Sequence, residues 1–281
     1  MARILAISSQ VVSGHVGLSA IVPTLNFLGH EVLALPTVIL SNHPGHEHCS
    51  GTQIDPIALN KMLDTLEANN LFSELDRVLT GYLPTADHVQ FTCNAIRRVK
   101  AARPSAIIIC DPVLGDDPTG LYIPQNAASA ICNKLLPMSD ITLPNRFELA
   151  WLSDMPVNTV PDALKAARTL KPRTTLATSI PVEPVATAET STATNLANVL
   201  ITSDTSRACI SQHQSGVPHG TGDLLSALFV AETNLNSPSL GGIAARLNHV
   251  IAYSLGKPEL ALIEAAQSWQ ALKPHPEIEA A

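Results

Sequence analysis

The chain has 281 residues, 17 of them basic and 24 acidic, for a formal charge of −7 at neutral pH. That length suits one large α/β unit or two small domains, and the 46% apolar share excludes a disordered or fibrous protein. So few lysines and arginines argue against a grip on the phosphate backbone of nucleic acid. Five cysteines, at positions 49, 93, 110, 132 and 209, are scattered without a C-x-x-C pair. They read as free thiols in a reducing compartment. No apolar run approaches the ~18 residues of a membrane span, so no membrane partner is expected and the cytoplasm is the expected address.

Arg3–Ser8 is a compact apolar run, too short for a signal-peptide core, and reads as a first strand. A helix follows with Val16, Ala20, Ile21 and Leu25 on one face, ending near Gly29. Next come a strand over Glu31–Val38, a polar loop over Ser41–Gly51, and a helix opened by Asp55-Pro56 and running to Ala68. Strands at Arg77–Tyr82, Ala106–Val113, Asp140–Leu143 and Thr174–Thr178 alternate with helices at Thr85–Ala102, Pro124–Leu136, Arg146–Leu152 and Pro161–Leu170. This alternation implies right-handed crossovers and a mostly parallel sheet covered on both faces. Pro181–Asn195 has little to bury and reads as a mobile surface loop. It precedes an antiparallel hairpin, Leu196–Thr202 and Arg207–Gln212, that extends the sheet. Helices are expected over Gly220–Thr233, Leu240–Leu255 and Pro258–Leu272, with a frayed tail at Lys273–Ala281. With no repeat and no clean linker, residues 1–281 are expected to form one domain.

In open parallel sheets, ligands bind beyond the carboxyl ends of the strands. The residues there are Ser9, Thr37, Gly81-Tyr82, Asp111, Asn145, Glu148 and Thr178-Ser179, joined by Gly220-Thr221-Gly222-Asp223. Glycines let the backbone approach a ligand closely, and the apolar helix after them adds a positive N-terminus, which together make an anion pocket. An Asp in such a pocket repels a phosphate but suits a general base for an attacking hydroxyl. Equally, Asp223 suits a plain helix cap in a tight turn. The turn matches neither G-x-x-x-x-G-K-[ST] nor G-x-G-x-x-G, against Walker and Rossmann readings.

Asn145 and Glu148 lie three apart on one helix face, and Glu148 suits a hard divalent ion held mainly through water and phosphates. A plain helix start explains them as well. Asp111 ends the most apolar strand and suits the same metal or its counter-charge, whereas Asp116 reads as a turn residue. His43-Pro-Gly-His46-Glu-His48-Cys49 has the composition of a metal site, but its spacing matches no closed ligand set. A loop near the substrate mouth is the expectation there, with no metal.

Together these motifs resemble the ribokinase-like superfamily, and within it the pyridoxal kinases. The resemblance runs along nearly the whole chain: Ile4–His15, Thr37–His43, Thr80–Leu83, Asp111–Asp116, Leu143–Glu148 and Gly220–Asp223 follow in the family's order. The Gly-Thr-Gly-Asp turn and the Asn-x-x-Glu pair mark the superfamily; Ser-Asn-His and Gly-Tyr-Leu mark pyridoxal kinase. The resemblance implies a three-layer α/β/α fold with a mostly parallel sheet and antiparallel edge strands. It implies an ATP- and Mg²⁺-dependent kinase, with a monovalent cation such as K⁺ as a candidate cofactor, acting as a homodimer on pyridoxal. Asp223 would be the base for the 5′-hydroxymethyl group, and the Gly220, Thr221 and Gly222 amides the anion hole. Glu148 and Asp111 would serve the metal, and Asn145, Thr178, Ser179 and Thr221 the ATP. Ser9, Val16, Thr37, His43 and Tyr82 would face the acceptor ring. Gln10 and Leu143 depart from the family's usual His and Thr, and Asp117–Gly120 carries a proline in a loop that covers ATP in the family. A hydroxymethylpyrimidine kinase and a non-catalytic vitamin B6 or nucleotide binder are the alternatives.

Overall fold

A computed structural model of the chain describes residues 1–182 and 195–280. Its strands are β1 (Arg3–Val11), β2 (Glu31–Leu40), β3 (Gly51–Gln53), β4 (Arg77–Thr80), β5 (Ile107–Cys110), β6 (Gly115–Asp116), β7 (Gly120–Leu121), β8 (Ile141–Thr142), β9 (Thr174–Val182), β10 (Asn195–Ile201), β11 (Ser206–Gln212) and β12 (Ile278–Glu279). The α-helices are α1 (Leu18–Phe27), α2 (Pro56–Ala68), α3 (Ala86–Ala102), α4 (Gln125–Ala130), α5 (Arg146–Ser153), α6 (Val160–Ala167), α7 (Thr221–Val230), α8 (Leu240–Ser254) and α9 (Leu262–Ala266).

The main sheet has the order β12-β11-β10-β9-β8-β5-β4-β1-β2-β3. From β2 to β9 the neighbours run parallel; β3 at one edge and β10, β11 and β12 at the other are antiparallel. Period-two alternation sends Ile4 and Ala6 of β1 to one face, under α1, α7, α8 and α9. Leu5 and Ile7 face the opposite layer, with α2, α3 and α4. Helices α5 and α6 cover β9 and β10. The result is the expected three-layer α/β/α fold with antiparallel edges. Local chemistry sets the helix starts. Asp55 accepts the Ile57 amide ahead of Pro56, and Thr85 caps α3 by accepting from His88.

Several expectations need correction. The frayed tail is docked: Ile278 and Glu279 pair with Ala208 and Arg207, while Glu277 contacts Arg207 and accepts the Gly241 amide at 2.8 Å. The open edge of β11 supplies ladder partners that the tail's own residues do not announce. The helix expected over Pro258–Leu272 shrinks to α9 and a 3₁₀ turn at Trp269–Ala271, because the Ser254 hydroxyl holds the Ala261 amide at 2.9 Å just before α9 begins. The one over Pro124–Leu136 is regular only to Ala130, then passes into a π turn and a 3₁₀ turn that contains Pro137, which lacks an amide N–H. Pro181, Val182 and Asn195, expected in a loop, belong to β9 and β10; the rest of that expected loop, 183–194, lies outside the described residues.

Candidate active site

The chain leaves β1 toward β2 on one side and returns to β4 on the other, so β1 and β4 flank the topological switch point where α/β sheets open a ligand crevice. On this side, Tyr82 is held through its backbone: its amide donates to Ser8 Oγ at 3.1 Å, and its carbonyl accepts from Thr37 Oγ1 at 2.8 Å. Thr37 is fully buried, so its hydroxyl positions the Tyr82 turn. Tyr82 is half-buried, and burial pushes its phenol pKa up. Ser9 lies against Gly17, where an added side chain would strike it, and Val16 is buried beside them. The Gln10 amide turns back toward α1, donating to Ser19 Oγ at 2.7 Å. Leu143 is buried in the core.

Across the switch point, carboxylates gather. Asp111 follows β5 and accepts from Ser226 Oγ of α7 at 2.6 Å. Glu148, 3% exposed, accepts the Leu114 amide at 2.7 Å on Oε1 and the Asn145 amide at 2.9 Å on Oε2. Asn145 Oδ1 accepts the Glu148 amide in return, a reciprocal capping box, and its Nδ2 donates to the Gly115 carbonyl at 2.8 Å. The helix-start reading and the binding reading therefore describe the same pair. Burial pushes the Glu148 carboxyl up to about 7 against the pull of three backbone amides. Burial, then the Glu148 and Asp223 charges, push Asp111 well above the usual carboxylate range. One observation favours a divalent cation here: Asp111 and Glu148 are both buried carboxylates whose charges repel one another. Among the described residues no three His, Cys, Asp or Glu side chains form a ligand set on their own, so phosphates and water would complete the shell, as a magnesium site requires.

The glycine turn faces both sides. Gly220 has φ +105°, which favours glycine, and no side chain caps α7. The first helical bond runs from the Leu224 amide to the Gly220 carbonyl at 2.9 Å, so the Thr221, Gly222 and Asp223 amides precede the ladder. A side chain at Gly222 would meet no atom within 4 Å, leaving open space beside those amides. Asp223 is the third residue of the helix and does not cap it; its carboxylate faces the Gly17 amide, and burial pushes its pKa up to about 6. Thr178 and Ser179 form the bulge of β9 opposite β10, with Ser179 at φ +57° and the Thr178 amide on the Pro144 carbonyl at 2.9 Å. That bond sets Thr178 beside Asn145.

The sequence-based expectations thus converge on one rim, with Thr37 buried behind it. Four contributors were not anticipated. Ser226 lies one turn beyond Asp223, a spacing that would have disclosed it on the same helix face. Val113 is a β-branched residue at φ +43°, a strained backbone that carries Leu114 to Glu148. His15 lies with its carbonyl against Gly220 and its Nδ1 buried without a partner among the described residues. His219 stacks on His43.

Fold and site define a small-molecule kinase of the ribokinase-like class. The chain belongs to the phosphomethylpyrimidine kinase family, whose match covers residues 13–243. It is 34% identical over 239 residues to the pyridoxal kinase PdxY of Deinococcus radiodurans, covering 82% of this chain and 78% of that one. It is 32% identical over 276 residues to the PdxY of Leifsonia xyli subsp. xyli, covering 94% of each. Among solved structures, pyridoxal kinase from Leishmania donovani in complex with ADP and pyridoxamine superposes with a TM-score of 0.87 at 25% identity, over 100% of this chain and 99% of that one. Pyridoxal kinase from Entamoeba histolytica shares the fold with a TM-score of 0.87 at 23% identity, over 99% of each chain. The resemblance to pyridoxal kinases read from the motifs is borne out.

Proposed function

We propose that the chain is an ATP-dependent pyridoxal kinase, one domain over residues 1–281, that phosphorylates the 5′-hydroxymethyl group of pyridoxal, with pyridoxamine and pyridoxine as further acceptors. The observation that carries this reading is Asp223: a carboxylate with its pKa near 6, beside an uncapped glycine turn. Such a group is mostly ionised at neutral pH yet basic enough to take the proton of an attacking hydroxyl. The proton leaves the hydroxymethyl oxygen for Asp223 as that oxygen attacks the γ-phosphorus and the bond to ADP breaks. The Gly220, Thr221 and Gly222 amides receive the charge on the transferring phosphoryl group. Glu148 and Asp111 would hold Mg²⁺, which when bound neutralises phosphate charge. Asn145 fixes Glu148, and Thr178, Ser179 and Thr221 flank the phosphates. Ser9, Val16, His43 and Tyr82 line the acceptor side, with Thr37 fixing the Tyr82 turn. Pyridoxal kinase from Leishmania donovani, in complex with ADP and pyridoxamine or pyridoxine, supports ATP and a B6 vitamer as the two substrates. By analogy the protein works as a cytoplasmic homodimer; among the described residues no helix is long and apolar enough to cross a membrane.

The family match itself favours a second reading, a hydroxymethylpyrimidine kinase, whose acceptor carries the same hydroxymethyl group on a heteroaromatic ring. Incubation with Mg-ATP and a panel of pyridoxal, pyridoxamine, pyridoxine and hydroxymethylpyrimidine, followed by mass spectrometry, separates them. Gain of one phosphoryl group on pyridoxal supports the first reading. Gain on the pyrimidine alone transfers the assignment, and gain on neither overturns both. A binder without turnover would have no use for a base carboxylate in the anion pocket.

A further inference from the structure

The histidine-rich loop after β2 has a fixed place in the fold. The His43 and His219 rings stack with centroids 3.8 Å apart and planes 20° off parallel. His219 directly precedes Gly220, the first residue of the anion turn. Gly45 presses on the same ring: a side chain there would come within 2.8 Å of His219 Nε2. The Gly45 amide also donates to His43 Nδ1 at 3.0 Å, turning the His43 ring toward its partner. Further along the loop, His46 Nε2 meets Glu259 Oε1 at 3.0 Å, and the Glu259 carboxylate also lies against Gly14, in the segment between β1 and α1. The loop is therefore fastened at two points, one of them the residue that leads into the phosphoryl site. His219 also acts electrostatically on Asp116, in the β6–β7 hairpin on the carboxylate side.

We propose that His219 is a positioning residue: by stacking on His43 it holds the 41–50 loop over the glycine turn and thereby sets affinity for the acceptor. The inference rests on the kinase reading of the site and deepens it. His43 belongs to the loop and His219 to the turn, so the stack is the direct side-chain link between acceptor recognition and the place where phosphate lands. Two flat rings at this distance gain by offset stacking and by excluding water from the loop's inner face. Burial, then His219 and His46, hold the His43 ring near pKa 4, so it stays neutral and free to stack at neutral pH. The titratable and charged groups around the pair are the His46 imidazole and the Glu259 and Asp116 carboxyls.

The test is a set of variants read on two scales. His219→Ala is expected to raise KM for pyridoxal about tenfold, with KM for ATP unchanged and kcat within about twofold. His219→Phe, which keeps a flat ring, should restore KM to within about threefold of the parent. Independently of turnover, NMR titration of the His43 ring should move from near 4 toward the ordinary 6.5 in His219→Ala, because both the covering ring and the like charge are gone. An unmoved His43 titration overturns the proposal, as does an unchanged KM for pyridoxal. Equal rises in both KM values, or a Phe variant no better than Ala, would reduce His219 to general support of the turn and overturn it also. Absence of pyridoxal turnover in the parent protein would instead overturn the kinase reading, and the titration alone would then decide the stack.

Discussion

The two sides of the crevice are built on different physics. On the side of β5, β8 and α7, Asp111, Glu148 and Asp223 are held by backbone amides, a serine hydroxyl and a strained Val113, with like charges set close together. On the side of β1, β2 and β4, neutral groups prevail: Thr37 and Ser8 spend hydrogen bonds on the Tyr82 backbone, and the His43 loop lies outermost. On the proposed reading, the charged side would serve phosphoryl transfer and the neutral side would face the acceptor ring. The difference teaches that chemistry and selectivity are separable here. Changes among the carboxylates should strike kcat and metal dependence, and changes among the neutral groups should strike acceptor KM.

The sharpest break in that comparison is Asp223→Asn, which should lower kcat ~10²–10⁴-fold while leaving acceptor KM within a few fold. The same substitution should raise the melting temperature by a few degrees at pH 8. An aspartate whose folded pKa is raised from 3.8 to about 6 destabilises the fold when ionised, and that penalty disappears as pH falls through 6 toward 4. The gap between the two proteins should therefore close in acid, as calorimetry across pH 4–8 would read. Next, Glu148→Gln should lower kcat/KM about 10–100-fold and raise the Mg²⁺ concentration needed for half-maximal rate. Gln keeps one acceptor oxygen for the Asn145 amide but turns its NH2 toward the buried Leu114 amide, so chemical denaturation should show a loss of ~1–3 kcal/mol. Loss of folding without a change in Mg²⁺ dependence would assign Glu148 to the cap alone. Smallest is Thr37→Val: it leaves the half-buried Tyr82 carbonyl without its donor, at ~1–2 kcal/mol of stability, and should raise acceptor KM several-fold with kcat little changed.

The layered fold was legible because buried parallel strands are near-continuous apolar runs, as in Ile107–Cys110, and the helices between them carry local caps such as Asp55 and Thr85. The placement of the candidate carboxylate side is legible for a related reason: its residues lie in short segments directly after strands, where topology obliges them to converge. What stayed hidden depends on partners distant in the chain. The tail reads as frayed because it carries two prolines, Pro274 and Pro276, yet the edge of β11 captures it. His219 gave no local signal, since a histidine before a glycine turn acquires meaning only when the fold brings His43 onto its face. Val113 was invisible because strain belongs to the backbone conformation, not the residue type. Ser226 was within reach of helical spacing alone.

The most direct measurement is the pH dependence of kcat/KM for pyridoxal phosphorylation, at saturating Mg-ATP, in the parent protein and in Asp223→Asn. The parent should lose activity about tenfold per pH unit below an apparent pKa near 6, because the base must be deprotonated to accept the hydroxyl proton, and the variant should show no such limb. A parent profile flat down to pH 5, or an Asp223→Asn variant that keeps the parent's rate and acid limb, would contradict the account.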